Sequence, residues 1–548
     1  MSRISRPTLA RENPGEASMR VRRSLLAVAG LVFAANLASA QSPGLTITWA
    51  EDDGNPRTFD PRVTQSRHES QLIIQVFDTL IASDENNNYS PGLARSWELA
   101  GDGMSITLKL RDDVTFHDGT KFDAEAVKFN FDSIRDPKLG SRAAIDILGP
   151  YAGSDVIGPY EIKVRYTRPY APAVASLSQN ELSPVSPTAV RLLGDGGFGA
   201  APVGTGPFKF VNWERGKQVV LDRYEPYNWA PGFTKHKGPS KVARVIHRSI
   251  PDASTRVAAL ERGEVDITDF TPILDVRRLG QDRRYKTMLA PASGLPFGIL
   301  LNSQRGVFQD IRVRQAFMHG FDRKALTDDM YFGLIEPAYG PLSKTTVGYW
   351  PEAEKYYPYD PGKATQLLEA AGWKMGPGGI RAKDGQPLTT TWQVLAVVLP
   401  EVGVAAQADL KKIGFDVKVE TITAPRWDEL VFTNANEINP LRWISADPSL
   451  LEIQFHSRNI PEPGRFRFNL GRLSDPALDK LLEQGAGEID PVKRNAVYAD
   501  AQKRIMDAAV WFPIHNQVNP IAYRANRTGY RFARAQWTVR FYEVEEVK

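Results

Sequence analysis

The sequence contains no cysteine, which rules out disulfide staples, thiolate metal sites and cysteine nucleophiles together. No cysteine follows the leader to carry a lipid anchor. Histidine is scarce. The seven residues, at 68, 117, 236, 247, 319, 456 and 515, include no pair four apart, the spacing of a helical metal pair. A G-x-S-x-G nucleophile elbow and a G-x-x-x-x-G-K-[ST] phosphate loop are both missing. One formal G-x-G-x-x-G occurs, from Gly194 to Gly199. A helix-like 188–193 precedes it and Pro202 follows, whereas a dinucleotide site needs a strand before and a helix after. It is read as a loop. Apolar runs reach nowhere near the roughly 20 residues of a membrane span. Nor is there an excess of one charge. Six arginines and two acids fall in the first 40 residues, leaving 62 residues of each sign beyond them, so a nucleic-acid or anionic-membrane role has no electrostatic support.

What is present begins with a leader. Arg20, Arg22 and Arg23 precede an apolar run from Leu25 to Ala35, and Ala38-Ser39-Ala40 follows. This is the order of a secretory signal cleaved after Ala40. The expected location is the periplasm.

The 548 residues exceed one ordinary domain and predict at least two lobes. The strand signals are Leu45–Trp49, Ser105–Leu110, Val219–Leu221 and Val242–Ile250, alternating or β-rich. Leu72–Leu80 is apolar on a helical period, and Asp123 is an N-cap for a helix with Val127, Phe131 and Ile134 on one face. Thr255–Glu261 is a short helix closed by Gly263. Three further helices open on Asp-Pro, at 360–361, 475–476 and 490–491. Aspartate accepts from the free first-turn amides and proline occupies a position that needs no donor. Gly372 and Gly485 are expected C-terminal caps. Ala405–Ile413 then Phe415–Thr421 reads as helix, glycine turn, strand. The fold class is α/β.

Several segments in order resemble the extracellular solute-binding proteins, family 5, of peptide, nickel and opine ABC importers. They are Leu110–Thr120 with Phe122–Phe129, Gly204–Phe208, Tyr227–Trp229, Leu260–Asp266, Asp310–Ala316, Asp322-Arg323, Tyr359–Pro361 and Ala370–Gly372. Where the family usually carries Asp-Val in the first helix, this chain has Ala126-Val127. Each motif also has a purely structural reading. His117-Asp118-Gly119-Thr120 and Gly204-Thr205-Gly206-Pro207 suit turns, and Asp310 suits a helix cap.

The resemblance implies a two-lobed periplasmic-binding-protein fold of class II, large, with an inserted subdomain and a ligand cleft between lobes. It implies lobe I at 41–299 with the insertion at about 84–200, lobe II at 300–511, and a return to lobe I at 512–548. Hinges fall near Phe297–Leu301 and Phe512–Asn516. The implied function is to capture a small peptide or peptide-like amino compound, as a monomer, for the importer's membrane permease. The resemblance implies no catalysis, no cofactor and no resident metal. An opine, a sugar conjugate or a chelated metal is the alternative cargo, and a secreted hydrolase the alternative class. Peptide-binding relatives hold the peptide amino terminus with a cleft aspartate in a segment like Trp-x-x-Asp. Here the segment is Arg442-Trp443-Ile444-Ser445-Ala446-Asp447-Pro448. Asp447 is therefore either an amine anchor shifted by one or the turn aspartate before Pro448. The same resemblance makes Trp443 and Trp427 stacking walls, or else core residues, and Arg442 a partner for a ligand carboxylate.

Overall fold

The computed structural model describes residues 44–547 apart from 53–55, 65 and 396–399; the expected leader lies outside the described residues. Leu45–Glu51, the first alternating segment, is the middle strand of a seven-stranded sheet. The order across it is Tyr285–Pro291, Val518–Arg524, Ile267–Thr268, Leu45–Glu51, Val242–Ser249, Gln218–Arg223 and Phe208–Glu214. Leu45–Glu51 is parallel to both of its neighbours, and the other pairs are antiparallel. Ile47, Trp49, Phe77, Val245 and Ile521 form the core against it. The helix Arg67–Val76 starts a turn earlier than its apolar period suggests, because the Ser66 hydroxyl accepts from the Glu69 amide and sets the start.

A second core is formed by residues within 80–230 together with Tyr542. The helix Ala124–Arg135 is capped by Asp123, whose carboxylate accepts from the Ala126 amide at 2.9 Å. Val127, Phe131 and Ile134 are buried as their spacing requires. They share a core with a four-stranded antiparallel sheet of Ala94–Leu99, Ser105–Leu110, Glu161–Tyr166 and Tyr151–Gly158. The His117 segment is a tight turn: the Phe116 amide donates to the Thr120 carbonyl at 2.8 Å, and Gly119 supplies a φ of 82°. Gly204 is needed for a different reason. A Cβ there would stand 2.2 Å from the Val76 carbonyl oxygen.

The third core spans Leu295 to Ile514. Its central strand, Gly294–Leu301, lies between Ile438–Ile444 and Trp511–His515. A parallel pair, Thr389–Leu395 and Asp416–Ile422, stands beside it. All three Asp-Pro helices form, and Asp360, Asp475 and Asp490 each accept first-turn amides. Two glycine readings differ from expectation. Gly485 lies inside the helix Pro476–Gly487 rather than at its end, because the Tyr498 ring packs over the space a Cβ would fill. The 194–199 glycines are not a loop but continue the helix Pro187–Ala200, kinked at Gly194 with φ 67°. No strand leads into them.

The chain passes between the seven-stranded sheet and the central strand of the third core at two adjacent places. Pro291 pairs with Val518 on one side, and Phe297 pairs with His515 on the other. Between them the Ala292 amide donates to the Gln517 carbonyl at 2.9 Å. The crossings therefore run at 292–293 and 516–517, where the resemblance implied lobe boundaries at 299–300 and 511–512 and hinges near 297–301 and 512–516. The difference arises because Trp511–His515 still hydrogen-bonds to Gly294–Leu301.

Candidate functional site

A cavity of about 620 Å³ opens between the second and third cores, a size typical of small-ligand sites. One wall comes from the helix Ala143–Leu148 and from residues 168–179; the other comes from residues 443–453 and 458–468. The walls touch beside it. Arg168 donates to Glu452 at 2.8 Å, and the Ala171 amide donates to the Ala486 carbonyl at 2.8 Å. Farther away, the Asn87 side-chain amide donates to the Ser293 hydroxyl at 2.9 Å.

The strand Ile438–Ile444 carries two of the four expected site residues on opposite faces, as the two-residue period of a strand demands. Trp443 faces the cavity. Gly294 on the neighbouring strand makes room for it, since a Cβ there would stand 2.2 Å from the Trp443 carbonyl oxygen. Arg442 points the other way, is exposed, and its guanidinium lies 5.4 Å from the Trp537 ring centre. It does not line the cavity. Trp443 meets Phe468 edge-on at 4.7 Å, Phe468 meets Phe466 at 5.2 Å, and Phe466 meets Trp427 at 5.9 Å. The first three of these rings line the cavity, and Trp427 backs the ladder from outside it.

Asp447 borders the cavity, but its carboxylate is occupied. Arg494 donates to both oxygens at 2.8 and 2.7 Å, and the Ser449 amide donates at 2.9 Å. The two charged side chains are 10% and 11% exposed. Burial by itself would raise the Asp447 pKa; the Arg494 charge and its hydrogen bonds outweigh burial and hold it below the usual range. The same pair raises Arg494, against burial.

Five arginines line the cavity, at 135, 168, 458, 465 and 467, against three carboxylates, Asp146, Asp447 and Glu452. Glu452 is shared by Arg168 and Arg458. Asp146 has no such partner among the described residues: burial pushes its pKa up, and the Arg467 and Arg465 charges only partly offset this. The Arg467 Nε is buried without an acceptor.

Away from the cavity, Glu51, Asp52 and His68 are the one group among the described residues whose ligand atoms could converge on a metal. The Glu51 carboxylate is already held by His68 Nδ1 at 2.6 Å and His247 Nε2 at 2.7 Å. No helix among the described residues is long and apolar enough to cross a membrane.

Sequence reasoning missed Asp146, Arg168, Arg465, Arg467, Phe466, Phe468 and Arg494. The one available signal was the alternation Arg465-Phe466-Arg467-Phe468, a dense charged and aromatic run.

Residues 88–457 match the family model described as bacterial extracellular solute-binding proteins, family 5 middle. The chain belongs to this family, which binds solutes and does not catalyse. It is 27% identical over 524 residues to the nickel-binding periplasmic protein of Escherichia coli, covering 90% of this chain and 93% of that one. It is 26% identical over 487 residues to the glutathione-binding protein GsiB of Shigella flexneri, covering 87% and 90%. The structure of the periplasmic binding protein DppA from Helicobacter pylori, in complex with the peptide STSA, superposes with a TM-score of 0.78 at 25% identity, covering 92% of this chain and 98% of that one. The fold is the mixed α/β architecture of class II periplasmic binding proteins.

Proposed function

We propose that this chain is the periplasmic solute-binding component of an ABC importer, and that it captures a small peptide-like amino compound and hands it to a membrane permease. The observation that carries the reading is the cavity itself. It has two walls from separate cores, both signs of charge, and an aromatic face of Trp443, Phe466 and Phe468. A cleft closing on such a ligand excludes water, so each charged contact gains in strength. The relatives that bind peptide and glutathione support the class of cargo. The occupied Asp447 moves the amine contact elsewhere, and Asp146 is the carboxylate open to take it.

The test is a thermal-shift screen of the purified protein, freed of bound ligand by denaturation and refolding, against di- and tripeptides, amino-acid conjugates, sugars and nickel chelates. A ligand at about 100 times its dissociation constant adds roughly 2.7 kcal/mol. A shift with amino compounds, with the ligand recovered unchanged by mass spectrometry, is expected. Shifts confined to sugars or metal chelates would refute the assignment, and turnover of the ligand would refute the class.

A further inference from the structure

Three observations bear on the charge of the cargo. The Asp447 carboxylate at the cavity border is filled by the Arg494 guanidinium, which donates to both of its oxygens. Arg494 stands where a ligand ammonium would have to stand, and displacing it would strand a buried cation. Next, the Glu452 charge is divided between two arginines from opposite walls, Arg168 and Arg458. Finally, among the described residues Arg465 and Arg467 make no ion pair, and both line the cavity with Asp146, its one carboxylate without an ion pair there, whose pKa their charges lower. Arg467 also keeps a buried Nε without an acceptor. A cavity lined by the exposed Arg465 and the half-buried Arg467, the latter with an Nε that lacks an acceptor, is complementary to carboxylates, which accept two parallel N–H bonds from one guanidinium.

Resting on the reading of the cargo as an amino compound, we infer that the cavity selects an amino acid derivative bearing at least two carboxylates, held by Arg465 and Arg467, with its single ammonium on Asp146. The aromatic wall of Trp443 and Phe468 covers the hydrocarbon between the charged ends. Asp447 is committed to Arg494, so recognition rests on the acid end of the ligand. The walls meet through Arg168 and Glu452, so that pair holds the cleft shut beside the ligand and does not compete for it.

Titration calorimetry with four probes tests this: Ala-Ala, Ala-Glu, Glu-Glu and citrate. Affinity should rise at least tenfold from Ala-Ala to Ala-Glu and not fall at Glu-Glu. The double variant Arg465→Gln/Arg467→Gln should lose at least tenfold in affinity for Ala-Glu while its far-ultraviolet dichroism is unchanged. Asp146→Asn gives a result that a misfolded variant cannot imitate. It should bind Ala-Glu more weakly than the parent but citrate, which has no amine, more tightly. Ala-Ala binding as well as Ala-Glu would overturn the inference and leave the proposed function standing. So would an unchanged Ala-Glu affinity in the double arginine variant. Citrate binding with every dipeptide silent would overturn the proposed function as well, and silence from all four probes would do the same.

Discussion

Asp447→Asn is the most informative single substitution, because the two readings of Asp447 predict different observables. The change keeps the shape of the side chain and its bond from the Ser449 amide, but removes the charge that Arg494 meets at 2.7 and 2.8 Å. Both side chains are only about a tenth exposed, so solvent screens little. At an effective dielectric of about 20 and a charge separation of about 4 Å, the attraction is roughly 4 kcal/mol. Leaving one member of a buried pair uncompensated costs about 3–5 kcal/mol. A body of about 500 residues unfolding as a unit has an unfolding entropy near 1 kcal/mol/K, so the melting temperature should drop by about 3–5 °C. Arg494→Gln should lose a similar amount. The double variant should lose much less than the sum, because no lone buried charge remains. Calorimetric melts of the four proteins, each without ligand, measure the cycle. A melting temperature within 1 °C of the parent, combined with a tenfold or greater loss of dipeptide affinity, would refute the reasoning. Asp447 would then anchor the ligand amine and Arg494 would be a partner it readily releases.

Three further outcomes follow from the same geometry. Gly204→Ala places a methyl 2.2 Å from the Val76 carbonyl oxygen and should cost about 1–3 kcal/mol or more in urea unfolding, whereas Gly101→Ala, with nothing within 4 Å, should be silent. Acidification should destabilise the fold. Burial lowers the pKa of both His117 and His515 to about 4, so between pH 6.5 and 4 the unfolded chain holds protons that the folded chain refuses, and stability falls as pH drops. His117 shows why, since its Nδ1 is buried with no acceptor for a second proton. Asp78, raised to about 6 by burial, acts in the opposite sense, leaving a net loss on the order of 4 kcal/mol from pH 7 to 4; urea midpoints at pH 7, 6 and 5 check it, and a flat profile would contradict it. Finally, small-angle scattering should show a smaller radius of gyration with saturating ligand than without, with the movement pivoting at 292–293 and 516–517; an unchanged radius would indicate a rigid pocket.

Helix starts were readable because their cause is local. Asp123, Asp360, Asp475 and Asp490 each accept amides within three residues of themselves, so the residue and its effect lie in one short window. Strands such as Leu45–Glu51 and Ser105–Leu110 were readable from their period. Gly485 was misplaced for the opposite reason. A helix can carry glycine through its interior where a ring from another helix, here Tyr498, packs against it, and nothing local announces that ring.

The sequence by itself determined the lobed α/β architecture, the family and the absence of catalytic motifs, all of which rest on short-range patterns in order along the chain. Tertiary structure alone decided the site. Arg168 and Glu452 are 284 residues apart and meet at 2.8 Å, while Arg442 and Trp443 are neighbours that face opposite ways. Asp447 reads in sequence as either an amine anchor or a turn residue and is a buried ion-pair member in space, because Arg494 reaches it from a helix 47 residues on. Charge complementarity falls off with distance in space, and distance along the chain carries almost none of that information.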